Sequence, residues 1–585
     1  MVNVTINHVP VNVPEETTIM AAAESAGIEI PHLCYLKEIN EIGACRLCSV
    51  EIEGEDKLVP SCITKVQEGM NIITNSLRVR SACRTNLSLL MSQHDGHCAM
   101  CARNDNCQLQ SLARDFNLIE NPYPMDLPEG KLAEWNGEFP LIRDAKKCIK
   151  CMRCVSVCEK VQGVKIWDLI GTGGRTRVGV SGNRKIEQTD CAACGQCIVQ
   201  CPVGALRERD DTEKVLYALE NPNITTIVQI APAVRAAWGE SCGLTSEEAT
   251  VKKLAGVLRN LGFDYVFDTC FSADLTIMEE GTEFLKRFTS GDLAKYPMFT
   301  SCCPGWVRFV KTHYPELVGQ LSTAKSPQQM FGAIMKTFYA EKIGVAPENI
   351  CVVSVMPCVA KKTECDLPTM YGKNGVKDVD IVLTTRELMR LTKVQNVPID
   401  RIEESEFDSL MQDFSGAGVI FGVTGGVMEA ALRSAAFFVT GQKPDPSAFH
   451  EISSSEAGDK PWREAEYDLN GTKVRIAVTS GLANTDKLCR AIVKGQVKYD
   501  FVEIMACPNG CSGGGGQPVH KDDIDRRFSR GQHLHDIDEK MELRYSHENP
   551  DIKKLYEEFL GEPVGELSEQ LLHTNHFGWK MPNEE

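Results

Sequence analysis

Residues 148–158 read CIKCMRCVSVC and residues 191–202 read CAACGQCIVQCP. Each stretch spaces its cysteines C-x2-C-x2-C-x3-C, and no other feature restricts so closely what this chain can fold into. In that spacing the first three thiolates of a run bind one [4Fe–4S] cluster and the fourth crosses to the other. The expected sets are Cys148, Cys151, Cys154 and Cys201 for one cluster, and Cys191, Cys194, Cys197 and Cys158 for its twin. Pro202 follows the second run as the pattern requires, whereas Glu159 stands in that place after the first. Such a pair of clusters is an electron wire.

The other cysteines are read in the same light. There are 26 in 585 residues, most crowded at short intervals. In a reducing compartment that crowding favours metal ligation over disulfides, with zinc as the first rival to iron. The start, MVNVTINHVPVNVPEETTIM, has neither the basic nor the apolar region of a signal peptide and reads as a strand hairpin entering a helix. No apolar run approaches the roughly 18 residues of a membrane span, so no membrane role and a cytoplasmic location are expected. A net charge of −17 argues against a nucleic-acid partner. Hydrophobic residues, at 43%, suffice for a sizeable core.

Five segments are expected. Residues 1–78 hold short alternating runs around one helical stretch, with Cys34, Cys45, Cys48 and Cys62 inside them. Four thiolates hold either zinc or a [2Fe–2S] cluster, and Gly43 and Ala44 let backbone amides approach sulfur, which favours iron–sulfur. Residues 79–138 contain HDGHCAMCARNDNC, in which His94, Cys98, Cys101 and Cys107 form a three-thiolate, one-imidazole set that suits zinc as well as a cluster. His97 sits directly beside Cys98, a less convenient position for a ligand. Residues 139–209 carry the twin runs. From 210 to 515 cysteines thin out and strand–turn–helix patterns recur, as in NICVVSVMPCVAKK, which implies parallel sheets covered by helices. Residues 516–585 are charged and helical in pattern, a wrapping segment. The fold class is thus multidomain α/β and α+β: a β-grasp ferredoxin-like module, a His/Cys3 module, a two-cluster ferredoxin module and a large α/β domain.

Four cysteines of the large domain lie at strand ends among prolines and glycines: Cys303 in TSCCPGW, Cys358 in VMPCVAKK, and Cys507 and Cys511 in EIMACPNGCSGGGGQP. Open α/β sheets collect ligands at such ends. One such cysteine alone would be a buried structural thiol; four together point to a bound group. These three stretches resemble the signature motifs of the iron-only ([FeFe]) hydrogenases, and the N-terminal cluster order resembles the large multi-cluster members, particularly hydrogenase subunits of heteromeric NAD(P)-linked complexes. The resemblance spans essentially the whole chain.

What it implies is specific. Cys303, Cys358, Cys507 and Cys511 hold a [4Fe–4S] cube, with Cys511 bridging to a di-iron unit that carries CO, cyanide and a dithiolate amine: the H-cluster. Lys361 hydrogen-bonds a cyanide, and Met356 and Met505 pack against the di-iron unit. Pro232, Ala233 and Gln328 line the cofactor, Ala233 standing where some relatives carry serine. Adjacent side chains diverge, so Cys302 faces the amine and relays protons while Cys303 binds the cube. In SADLTIMEEGTEFLKRF, Glu280, Glu283 and Arg287 share a helix face. Spacing alone makes that a solvated charged face; the resemblance makes it a proton route from Cys302 through Glu280, Ser322 and Glu283 to Arg287, with Glu279 off the route.

The expected complement is one [2Fe–2S] cluster, three [4Fe–4S] clusters (one His/Cys3-ligated) and the H-cluster. GTGGRTRVGVSG (171–182) reads as the loop joining the two ferredoxin halves, and GVTGGVMEAALRSA offers a helix N-terminus either to an anion, such as the cyanides, or to no ligand at all. No dinucleotide fingerprint is evident, so flavin and NAD(P) are expected on a partner subunit, alongside other iron–sulfur subunits, with ferredoxin as a further candidate partner. The implied reaction is reversible oxidation of H2 to protons and electrons. The rivals are a respiratory electron-input subunit, which lacks the three large-domain motifs; a hydrogenase-like iron–sulfur assembly protein without activity, which loss of the TSCCPGW thiols would favour; and a hydrogen sensor, which wants a signalling domain. Cys83, Cys242, Cys270, Cys351, Cys365 and Cys489 are left as structural thiols.

Overall fold

The computed structural model describes residues 1–123, 132–373, 375–454 and 460–584, so part of the 79–138 segment lies outside the described residues. At the N-terminus, the alternating pattern of VNVTI folds as the strand Val2–Ile6, with Val2, Val4 and Ile6 turned into the core. It pairs antiparallel with Val9–Val13 and parallel with Asn71–Ile73. Ser49–Ile52 and Val59–Pro60 complete a five-stranded mixed sheet. The helix Ile19–Ser25 packs on it, started by Thr18, whose hydroxyl accepts from the Ala21 amide. Another helix, Leu77–Ser92, is capped by Ser76 and crosses the 78/79 boundary.

The two-cluster module is built on two small antiparallel pairs, Leu141–Arg143 with Leu206–Glu208 and Trp167–Ile170 with Arg177–Val180. The second pair corrects the reading of 171–182 as a simple connecting loop. That stretch contains the buried strand Arg177–Val180, and only its glycine-rich first half forms the turn. Gly171 and Gly173 adopt positive φ there, which glycine tolerates without a Cβ clash.

Two four-stranded sheets form the large domain. The first runs Tyr265–Asp268, Thr225–Ile230, Ile350–Met356, Ile381–Thr384, all parallel. Every residue of ICVVSVM is buried, the mark of a strand covered on both faces by helices. In the second sheet Met298–Phe299, Phe501–Met505 and Thr472–Ser480 are parallel, while Arg463–Leu469 joins as an antiparallel edge. That edge strand alternates half-buried and exposed residues, unlike the continuous apolar runs inside.

The C-terminal segment wraps this domain with the helices Arg527–Lys540, Pro550–Leu555 and Glu566–Leu572. Its last turn is stitched down by main-chain bonds, Lys325 N to Leu572 O and Thr574 N to Thr323 O, both 2.7 Å. Among the described residues no helix is long and apolar enough to cross a membrane.

Candidate active site

The signature cysteines stand where the two sheets present their carboxyl ends. Cys303 caps the helix Pro304–His313 just past Met298–Phe299; Cys358 lies two residues beyond Ile350–Met356; Cys507 lies two beyond Phe501–Met505. Cys511 sits in the short turn Gly510–Gly513. The charges of Cys303, Cys507 and Cys511 all act on Cys358, so the four converge. Burial, then mutual repulsion, pushes Cys358 well above the ordinary thiol value. Four such sulfurs ionise together only around a cationic core, and the Ala506 amide, 3.4 Å from Cys303 Sγ, is already aimed at one of them. The donor set fits an iron–sulfur cube.

Glycines let the walls close on this centre. A Cβ on Gly515 would lie 2.1 Å from the Cys194 carbonyl, one on Gly514 2.1 Å from the Pro357 carbonyl, and one on Gly516 2.8 Å from the Cys358 amide. The loop carrying Cys511 therefore interlocks with the loops carrying Cys358 and Cys194. Gly515→Ala is expected to force these loops apart and to lose the cube's irons, about four per chain before the di-iron unit is installed, read by iron analysis. Gly174→Ala, at a position with no atom within 4 Å, serves as the control and should keep its iron.

Around the cysteines the neighbouring side chains are largely buried, and polar at chosen points. Lys361 is buried, and its Nζ donates to the Cys302 carbonyl at 3.0 Å and to Glu364 Oε2 at 2.9 Å. Burial alone would lower its pKa, but the Glu364 carboxylate more than offsets this and holds it above the usual lysine value. Met356 and Met505 end their strands at 3% exposure each. Pro232 and Ala233 form a buried turn whose Ala233 carbonyl accepts from Gln517 Nε2 at 2.8 Å. Gln328 donates to Glu364 at 3.2 Å while its Oε1 is buried without a partner. The helix Gly426–Thr440 spends its N-terminus on this chain's own carboxylate: Gly425 N and Met428 N, 2.5 and 2.8 Å away, both donate to Glu503. Of the two readings open from sequence, an anion or no ligand, that terminus takes an anionic group from this chain itself.

Cys302, Glu280, Ser322, Glu283 and Arg287 lie in sequence from chamber to surface. Burial, then Glu280, pushes the Cys302 thiol well up. Burial, then the neighbouring Glu283, pushes Glu280 up to about 8, with Ser322 pulling the other way. Glu280 Oε2 is buried without a partner. Ser322 Oγ donates to Glu283 Oε2 at 2.8 Å, and Arg287 reaches Glu283 Oε1 at 3.3 Å. Glu279, one step round the helix, is fully buried but faces elsewhere: it accepts from Tyr556, from the Val564 amide at 2.7 Å and pairs with His573 at 3.0 Å. It anchors the C-terminal segment, a role no local pattern signalled.

The three all-cysteine sets outside the large domain also come together. Cys34 and Cys45 Sγ are 3.5 Å apart, Cys48 and Cys62 3.3 Å. Cys148, Cys151, Cys154 and Cys201 line one apolar cavity with Ile149, Met152, Trp167 and Val178. Cys191, Cys197 and Cys158 interact, with Cys194 close to both Cys197 and Cys507. Cys107 interacts with Cys101, and Cys98 lies one short turn before it. His94 is buried and its Nδ1 contacts the Lys147 carbonyl at 2.9 Å, which leaves Nε2 for a metal. His97 is exposed beside Asp95. Asn40, unmarked by any motif, donates to the carbonyls of Cys34 and Cys151 at 2.7 and 2.9 Å. Of the unassigned cysteines, Cys83, Cys270, Cys351, Cys365 and Cys489 are buried and Cys242 is half-buried.

Comparison with known proteins agrees with this geometry. The family described as "Iron only hydrogenase large subunit, C-terminal domain" matches residues 224–515. The NADP-reducing hydrogenase subunit HndD of Solidesulfovibrio fructosivorans is 45% identical over 99% of both chains. The chain belongs to the iron-only ([FeFe]) hydrogenases. Further families match the hydrogenase in order: a 2Fe-2S cluster binding domain at 1–77, the NADH-ubiquinone oxidoreductase-G iron-sulfur binding region at 84–122, a 4Fe-4S dicluster domain at 147–205 and the iron hydrogenase small subunit at 524–579. Iron hydrogenase 1 of Clostridium pasteurianum is 39% identical over 98% of this chain and all of its own. The apo [FeFe]-hydrogenase HydA1 from Chlamydomonas reinhardtii superposes with a TM-score of 0.57 at 40% identity, covering 64% of this chain and 99% of that one. This enzyme thus carries [2Fe–2S] and [4Fe–4S] sites and an H-cluster.

Proposed function

We propose that this hydrogenase oxidises H2 reversibly as the catalytic subunit of a heteromeric complex and passes electrons to a partner that binds flavin and NAD(P), with ferredoxin as a further acceptor. When bound, the H-cluster supplies the heterolysis of H2 and takes up its electrons. Cys303, Cys358, Cys507 and Cys511 would hold it. Lys361, fixed by Glu364, would steady a cyanide, while Met356, Met505, Pro232, Ala233 and Gln328 would exclude water around it. Cys302 would take the released proton and hand it to Glu280, from which Ser322, Glu283 and Arg287 lead out.

One observation carries the reading: the convergence of four signature thiols on a chamber from which a buried, partner-free carboxylate oxygen, Glu280 Oε2, leads to an ordered Ser–Glu–Arg line. A cluster-binding protein without turnover has no use for the line.

The electron side rests on contacts into the twin-run module. The Cys148, Cys151, Cys154 and Cys201 set meets both outer modules. Asn40 links it to the Cys34 loop, and His94 to Lys147, next to Cys148. The Cys191 set meets the active site through Gln196 Nε2 and the Gly513 carbonyl at 2.8 Å. Two outlets, one [2Fe–2S] and one His/Cys3 [4Fe–4S], would thus join one wire, giving one [2Fe–2S] and three [4Fe–4S] clusters besides the H-cluster. The NADP-reducing relative favours a nicotinamide-linked partner, and a location in the cytoplasm follows from such a partner.

The test is anaerobic H2 uptake by the matured chain with an artificial acceptor. Turnover together with infrared bands of CO and cyanide is the expected result. Bands without turnover would overturn the catalytic reading and leave an iron–sulfur assembly or sensing protein.

A further inference from the structure

Away from the chamber, three segments distant in sequence bring Glu429, His450 and His535 together. Their ligating atoms all lie within 4.8 Å of one another. Glu429 is on the helix Gly426–Thr440, His450 follows the short turn Pro446–Phe449, and His535 is on the C-terminal helix Arg527–Lys540. The two imidazoles meet edge to face with centroids 4.8 Å apart.

His535 is the unusual member. It is 4% exposed, yet neither Nδ1 nor Nε2 has a hydrogen-bond partner. A buried imidazole normally spends at least one nitrogen on a carbonyl or carboxylate. Leu534 beside it is fully buried against Ala233, Cys270, Val419 and Val423, so the helix is fixed and His535 is held in place. Glu429 is fully buried; one oxygen accepts from Arg433 and the other from Ser453, and the latter lies 3.6 Å from His450 Nδ1. Arg433 is itself neutralised by Asp538, at 2.8 and 3.0 Å, and Asp538 also by Arg544. The pocket therefore holds balanced charge before any cation enters. His450, with 32% of its side chain exposed, opens it to solvent.

We propose that Glu429, His450 and His535 form a divalent cation site of the zinc class that pins the C-terminal helix to the catalytic domain. Two imidazoles and a carboxylate are donors zinc accepts, with water in the fourth position. Bonds of about 2.0–2.1 Å to a tetrahedral ion put its ligands roughly 3.3 Å apart, so binding draws the set inward, with the half-buried His450 on the solvent side. The rival arrangement is an ion pair of His450 with Glu429 alone, which leaves His535 without a purpose. On the same helix Leu534 packs against Ala233 and Val423, so the helix stays seated there when the ion is absent.

The experiment uses the fully iron-loaded chain, purified without oxygen, given one equivalent of zinc sulfate and desalted. The expected result is about one zinc per chain, with a zinc-edge absorption spectrum showing only nitrogen and oxygen neighbours. His450→Gln should lower bound zinc at least tenfold while iron content and H2 uptake stay unchanged. His535→Leu should do the same; should it not fold, His450→Gln decides alone. Absence of zinc from the parent, sulfur neighbours at the zinc, or full zinc retention in His450→Gln would each overturn the site.

Discussion

Glu280→Gln is expected to lower H2 uptake by about 100-fold or more, the range by which a positioned proton-transfer group accelerates a reaction, while iron content and the CO and cyanide bands are retained. The residue lies inside a helix, is 1% exposed and has one oxygen without a partner. Glutamine preserves its shape and its contacts but neither gains nor loses a proton. Cys302→Ser should behave alike, since a hydroxyl of similar size ionises far less readily than a thiol. A graded response would argue against the route: if either variant kept more than about a tenth of parental turnover, protons would be leaving by another way.

The same carboxyl gives the route a pH signature. Burial, then Glu283, pushes Glu280 up to about 8, so it is mostly protonated at neutral pH. During uptake it must receive a proton, which requires the ionised form. Parental uptake should therefore rise as pH climbs through about 8, and that rise should be absent from whatever turnover Glu280→Gln retains. For folding the sign is opposite. A carboxyl whose folded pKa lies above its unfolded value binds protons more tightly when folded, so it costs the native state stability as pH rises from its ordinary range towards about 8.

How far such features could be read from sequence depended on how far apart their parts lie. The cysteine runs stood out as candidate ligands because ligation imposes fixed short spacings. The parallel sheets were legible because ICVVSVM and TTIVQI are continuous apolar runs, suited to strands buried on both faces. The antiparallel edge Arg463–Leu469 was not, since its half-polar alternation fits many elements. Arg177–Val180 was hidden by the glycines before it. Glu279 looked like the neighbour of a functional residue and turned out to hold Tyr556 and His573, almost 300 positions away. Likewise no local pattern could pair Glu503 with the helix at Gly426, or bring His535 to Glu429. Contacts of long sequence separation leave no periodic mark, and in this chain they are what attach the C-terminal segment.

The adjacent lysines of MPCVAKK make the point testable. Lys362→Met is expected to cost about 3–5 kcal/mol, the range for breaking a buried charge network by removing one partner, seen as a fall in melting temperature on the order of 6–10 °C. Lys362 is 1% exposed, and its ammonium is held by Asp211 at 2.6 Å, Glu387 at 2.9 Å and the Val382 carbonyl at 2.7 Å. Without it Glu387 loses its cation, although it still caps the helix Thr385–Val394 through Thr384, whereas Asp211 keeps Arg209 at 3.1 Å and Lys214 at 2.8 Å. Adding Glu387→Gln removes the stranded charge and should recover most of the loss, while Asp211 stays paired with Arg209 and Lys214. Lys361→Met is expected to differ in kind. Glu364 keeps donors from Ser326 at 2.9 Å and Gln328 at 3.2 Å, so the fold is cushioned, whereas the chamber loses the cation that faces Cys302. Its melting temperature should fall less than that of Lys362→Met and its H2 uptake more. Equal thermal losses in the two single variants, with equal residual activity, would show that neighbouring residues of this motif do not divide structure from chemistry.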